Sequence, residues 1–218
     1  MKPVYIILLL SMVFLCTGCG EPKAHEPAHS EEKQFDQQAM RQQIHQLIKS
    51  NGQKAYEFAL EIRNGQQISH YKGKQVGENW VITDARGKKV MERKDKKVWA
   101  YHLKNKEEMT LRQAGLVSPR DHLFFLKKVL GKVEYIQKSK NYGQMKAKVT
   151  VDPDKFAEQF RQRLNIEANI PSFPVYEEIN IYYELVYSDS QDKKLQQIIL
   201  NMPGQEETPQ TLVYTLKM

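Results

Sequence analysis

Cysteine is almost missing from this chain. It has two in 218 residues, Cys16 and Cys19, and none afterwards. Whatever folds beyond position 19 does so without a disulfide, and it has no thiolate for nucleophilic attack or metal binding. No G-x-S-x-G elbow and no Walker loop occurs. The six histidines are scattered. His45, His70, His102 and His122 have no sequence neighbour that marks a general base or a ligand, and they read as structural. His25 and His29 stand in HEPAH, a spacing that holds metal when both lie on a helix. Pro27 interrupts that helix. Glu177 and Glu178 are adjacent on an expected strand, so they point to opposite faces and share no substrate. These absences point away from an enzyme and from any metal or cofactor.

What is present begins with Cys19. Lys2 precedes an apolar run from Val4 to Leu15, followed by Thr17-Gly18-Cys19. The run has signal-peptide length and is short for a membrane span. Small residues just before a cysteine fit the signal-peptidase cleft of bacterial lipoproteins, although Cys16 departs from that motif. The reading is a signal peptide over 1–18, a lipidated Cys19 carrying diacylglyceryl and palmitate-like chains, a polar tether over 19–34, and a single domain over 35–218. It places the protein outside the cytoplasm and anchored to the cell membrane. A Lys-rich composition with no outer-membrane sorting signal favours a Gram-positive cell surface.

The formal net charge is +7, and Lys2 is the one charged residue the signal removes. A basic exported domain suits anionic headgroups or wall polymers, whereas nucleic acid is not a partner in that compartment. Lys88, Lys89, Arg93, Lys94, Lys96 and Lys97 crowd two strands and their turn. They are candidates for contact with an anionic surface. The same lysines also serve to guard strand edges against aggregation.

Hydrophobic spacing then sets the elements. Met40, Ile44, Leu47 and Ile48 recur at helical intervals, with Asn51-Gly52 as the stop. Tyr56, Phe58, Leu60 and Ile62 alternate with polar residues, and Asn64-Gly65 marks a hairpin. Strands are expected near 67–72, 78–84, 88–94, 97–103 and 107–112. Ser118-Pro119-Arg120-Asp121 opens a helix that is apolar over most of its surface and stops at Gly131. Strands near 132–138 and 143–151 precede a helix opened by Asp152-Pro153, with Phe156, Phe160 and Leu164 on one face. Three strands close the chain near 179–187, 195–202 and 212–216. The fold class is α+β, with about eleven antiparallel strands and three helices. Such a sheet must hide one face by closing or by wrapping its helices.

The order of lipobox and tether, helix, the meander ENWVITDARGKKVMERKDKKVWAYH, the capped helix SPRDHLFFLKKVL and the late strand pair EEINIYYELVYSDSQDKKLQQIIL resembles the LolA/LprG-like superfamily of exported lipoproteins. The resemblance implies a strongly curved antiparallel half-barrel around helices, with an acyl chain or lipid held in the cavity between them. Phe58, Leu60, Trp80, Ile82, Trp99, Leu123, Phe124, Leu126 and Tyr183 are the expected lining. Other members are protein partners, including spore-germination lipoproteins that bind a cortex-processing amidase. The alternative function is therefore a non-catalytic interaction protein of the envelope or spore, with an outer patch that includes Tyr182 and Val186.

Overall fold

A computed structural model describes residues 30–102, 105–110, 116–138, 143–164, 181–203 and 209–217. The signal, Cys19, His25, His29 and the Glu177-Glu178 pair lie outside the described residues.

The described chain runs α1 (Ser30–Asn51), β1 (Tyr56–Asn64), β2 (Gln67–Val76), β3 (Asn79–Asp84), β4 (Lys89–Lys94), β5 (Lys97–His102), β6 (Asn105–Met109), α2 (Pro119–Val129), β7 (Leu130–Lys138), β8 (Gln144–Val151), α3 (Pro153–Leu164), β9 (Tyr182–Ser188), β10 (Leu195–Met202) and β11 (Gln210–Lys217). All eleven strands form one antiparallel sheet in the order β6-β5-β4-β3-β2-β1-β11-β10-β9-β8-β7. β6 and β7 do not pair, so the sheet is open. Among the described residues the expected α+β class is found, with eleven strands and three helices.

The sheet is two meanders joined at β1 and β11, where Phe58 faces Leu216 and Leu60 faces Tyr214. Alternate residues of each strand share a face. From almost every strand the inward set is buried in one cluster: Phe58, Trp80, Val98, Val133, Val149, Leu185, Ile198 and Tyr214 all belong to it. Laid flat, eleven strands would span about 50 Å. A single cluster over all of them requires the sheet to curl around its helices.

α1 begins at Ser30, inside the segment read as tether. Ile44, Leu47 and Ile48 are its buried face. Asn51 ties its end to the sheet: the amide donates to the carbonyls of Leu47 (2.9 Å) and Lys193 (3.1 Å) and accepts from the Leu195 N–H (3.1 Å).

α2 has the capping box expected of Ser118 and Asp121. The Ser118 hydroxyl accepts from the Asp121 N–H, and the Asp121 carboxylate accepts from the Ser118 N–H. Leu123, Leu126 and Val129 are fully buried. The helix passes into β7 without a loop. Gly131, expected as the helix stop, belongs to that strand. A Cβ there would come within 2.8 Å of the Thr150 carbonyl, so its role is close approach to β8.

Gly73 is likewise inside β2 and not at its end. It faces Phe58 across the β1–β2 ladder, and the Phe58 ring lies over it. At the other end of the sheet, α1 covers the edge strand β7. The Gln37 side chain donates to the Val133 carbonyl (2.7 Å) and accepts from the Val133 N–H (3.2 Å), as a neighbouring strand would.

Two measurements check these contacts. A Cβ at Gly73 would meet Phe58 ring carbons at 2.1 Å, and Phe58 is 3% exposed, so the ring has nowhere to go. Gly73→Ala should destabilise the fold by about 1–3 kcal/mol in urea unfolding, and an unchanged midpoint would contradict the packing. Gln37→Ala should accelerate amide exchange at Val133 by about tenfold or less, while leaving Val149 in the neighbouring strand protected.

Candidate functional site

The sheet's inner face, where a ligand cavity was expected, is filled among the described residues. Leu123 and Leu126 are 0% exposed, Tyr183 is 1%, Phe58 and Ile82 are 3%, Trp80 is 4% and Leu60 is 6%. These seven expected lining residues do come together, but as a packed core. A void wide enough for an acyl chain would leave its walls open to a water-sized probe.

Two of the expected lining residues lie elsewhere. Trp99 alternates with the buried Val98 and Ala100, so it faces outward, beside Tyr101. Phe124 is 39% exposed because Leu123 and Leu126 fix which side of α2 is buried. Arg120 covers one face of its ring, 5.0 Å from the centroid.

At the core's centre is a polar chain that sequence reasoning did not find. His122 is 1% exposed. Its Nδ1 is 3.1 Å from the Tyr183 hydroxyl and its Nε2 is 3.1 Å from that of Tyr214. The Tyr214 hydroxyl donates to the Val117 carbonyl at 3.0 Å. Tyr214 oxygen therefore accepts from Nε2–H, which leaves Nδ1 to accept from Tyr183. The chain pins α2 to β9 and β11 and lies away from solvent, so it is a structural device. Its one sequence signal is that His122 falls on the buried side of α2.

The basic residues do not form one patch. Strands alternate in direction, so the β3–β4 turn with Lys88 and the β4–β5 turn with Lys94, Lys96 and Lys97 are at opposite ends of the sheet. Arg93 is half-buried on the inner side and ion-paired with Glu78 (3.1 Å) and Asp121 (3.7 Å). Arg120 approaches Glu78 at 3.9 Å. Asp95 and Lys96 turn the chain with φ of 53° and 67°, the left-handed pair a two-residue hairpin needs.

The outer face of β4–β6 is a charged, aromatic surface. The Lys106 ammonium is 3.9 Å from the Trp99 ring centroid and 5.6 Å from that of Tyr101, and Lys89 is 5.2 Å from Tyr101. Glu92 sits between them, bonded to Lys89 (2.6 Å) and to the Tyr101 hydroxyl. The hydrogen bond from Lys89, with that from Tyr101, holds its carboxyl below the usual range.

Val186, expected on an exposed outer patch, is 8% exposed. Tyr182 is half-buried beneath Lys148, 4.3 Å from its ring. A groove over the outer face of β1, β2 and β11 has small residues Ala59, Val213 and Thr215 on its floor and Glu61, His70 and Lys72 on its walls. The S-x-x-K spacing from Ser69 to Lys72 runs along β2, where residues three apart point to opposite faces. Among the described residues, no three His, Cys, Asp or Glu side chains group as a metal site.

No family model matches the chain, and no curated protein matches it in sequence. Among solved structures it is similar to one described as "Crystal structure of MucB in complex with MucA(peri)", at 6% identity and a TM-score of 0.38. The match covers 82% of this chain and 56% of that one. A likeness of that size carries no conclusion about fold or function.

The buried phenols set an alkaline limit on the fold. Burial holds Tyr214 well above the ordinary value of 10.0 and raises Tyr56 as well. A raised value means the folded state favours the protonated phenol. That stabilisation is whole below pH 10 and is lost as pH climbs towards the folded-state values. In an alkaline titration the last tyrosinate absorbance should appear together with loss of far-UV circular dichroism. Complete tyrosine ionisation with a native spectrum would contradict the burial of Tyr214 and Tyr56.

Proposed function

We propose that this protein is a non-enzymatic, LolA/LprG-like lipoprotein, held outside the cytoplasm by lipid on Cys19, whose folded domain acts by binding another protein. The observation that carries this reading is the filled inner face. With Leu123 and Leu126 at 0% exposure, the described core leaves the space between sheet and helices to packing, and recognition falls to the outer surface. That surface offers Phe124 stacked beneath Arg120, and Val76 at 57% exposure near the β2–β3 turn. An aromatic–arginine pair is the composition of interface hot spots. Lipid carriage is the second reading, and it would need the chain to open between residues such as Leu123 and Leu126 that are buried in the core.

Native mass spectrometry of the protein extracted from membranes separates the two. The expected spectrum has the anchor mass on Cys19 and no second, non-covalent lipid. A bound lipid that disappears in Leu126→Trp would overturn the reading in favour of a carrier. A photo-reactive phenylalanine at Phe124 should give one discrete protein adduct that Arg120→Glu weakens by at least about tenfold. Adducts equally abundant from a probe at Lys155 would count against a partner at Phe124.

A further inference from the structure

We propose that the outer face of β4–β6, with the β3–β4 turn, is the surface this protein lays against anionic phospholipid headgroups. The proposal deepens the anchored-lipoprotein reading and rests on it for the position of the membrane.

Chain direction carries the argument. α1 ends beside the β9–β10 turn, through Asn51 and Lys193, and its early residue Gln37 is at the start of β7. Its N-terminus is therefore at the end of the sheet that holds the β1–β2 and β3–β4 turns. About eleven residues separate Cys19 from Ser30, a reach of about 40 Å at most. An anchor on Cys19 joins the domain at this end of the sheet, which puts this end within reach of the bilayer.

Chemistry at that end fits anionic headgroups. Arg86 and Lys88 are exposed in the β3–β4 turn. The Asp84 carboxylate is turned into the same turn, accepting from the backbone N–H of Arg86 (2.9 Å) and of Lys88 (2.8 Å). Next to this turn, Lys89 and Lys106 lie over Tyr101 and Trp99. Two carboxylates face this surface. Glu92 is engaged by Lys89 and Lys106, and Glu108 is paired with Lys97. Tryptophan and tyrosine interleaved with lysine are what a headgroup layer accommodates: the rings enter the interface while the ammonium groups meet phosphate.

The chain's two tryptophans make the test direct. Trp80 is buried in the core, so quenching by brominated acyl chains reports Trp99. The full-length lipidated protein is reconstituted in phosphatidylglycerol–phosphatidylcholine vesicles with brominated chains. Trp99 emission should fall by about half on these vesicles. It should recover at high salt, and it should be unaffected on pure phosphatidylcholine. Arg86→Glu with Lys88→Glu should leave the protein attached and folded but unquenched. Trp99→Phe should abolish the quenching without altering the core.

Protein that floats with the vesicles while Trp99 stays unquenched overturns the surface and leaves the anchor standing. Protein with an unmodified Cys19 fails the anchor, and quenching by phosphatidylglycerol vesicles added from outside still decides the surface. Binding of soluble poly(glycerol phosphate) without quenching on vesicles overturns the lipid assignment and gives the face to a wall polymer.

Discussion

Two meanders of neighbouring strands meet where β1 pairs with β11, and the rest of the molecule depends on that seam. Every other ladder joins strands that follow one another in the chain, across a hairpin, a loop or α3. The seam instead joins Glu57 to Lys217 and Asn64 to Gln210, bringing the last strand against the first. Such a long-range pairing is entropically expensive to close. Rings hold it: Phe58 and Tyr214 lie 5.9 Å apart across the two strands. Tyr214 also accepts from His122 and donates to Val117, so the residue that closes the sheet also seats α2. Loss of the seam would free both meanders and remove the floor beneath the helix.

α2 explains why the inner face is packed among the described residues. A helix with one apolar stripe covers a sheet and leaves its other flank to solvent or ligand. This one buries His122, Leu123, Phe125, Leu126 and Val129, which reach the sheet on one flank and α3 on the other, where Phe125 meets Phe156 edge-on at 5.7 Å. The polar chain through His122 adds direction to the packing, since it is satisfied at one rotation of the helix. An acyl chain of similar thickness would have to displace packed side chains and strand three buried hydroxyl and imidazole groups without partners.

Strand alternation made most of the fold legible, because period-two patterning is local and strong in β1, β3, β8 and β11. It failed where both parities are apolar. In β5 the pairs Val98-Ala100 and Trp99-Tyr101 compete, and the smaller pair is the one that faces inward, at 0% and 3% exposure. Phe124 and Phe125 are neighbours on a helix apolar nearly all round, and packing on both flanks chose Phe125. Gln37 capping Val133, and His122 between Tyr183 and Tyr214, join residues 96, 61 and 92 positions apart. No local pattern announces such partners. The start of α1 was missed because Ser30-Glu31-Glu32 has the composition of a tether and carries no apolar residue to set a helical period.

The basic segment from Arg86 to Lys97 shows how topology redistributes a sequence cluster. In the chain these charges read as one patch. β4 separates them by six residues, about 20 Å along a strand, and antiparallel order sends its two turns to opposite ends. Arg93, midway, is drawn inward to Glu78 and Asp121, where it braces the N-terminal turn of α2. Arg86 and Lys88 stay with the end at which α1 begins, beside the lysine-covered Tyr101. Lys94 and Lys96 go to the far end, with the β2–β3 turn and the start of α2, and Lys97 reaches from that end to the Trp99 ring, 5.9 Å from its centroid. An anchored molecule of this topology has two chemically different ends. One is basic and aromatic and suited to headgroups. The other presents Val76 and the Arg120 side of the Phe124–Arg120 pair. The direction of α1 decides which end is which, and that direction is set by Asn51 at one terminus and Gln37 near the other.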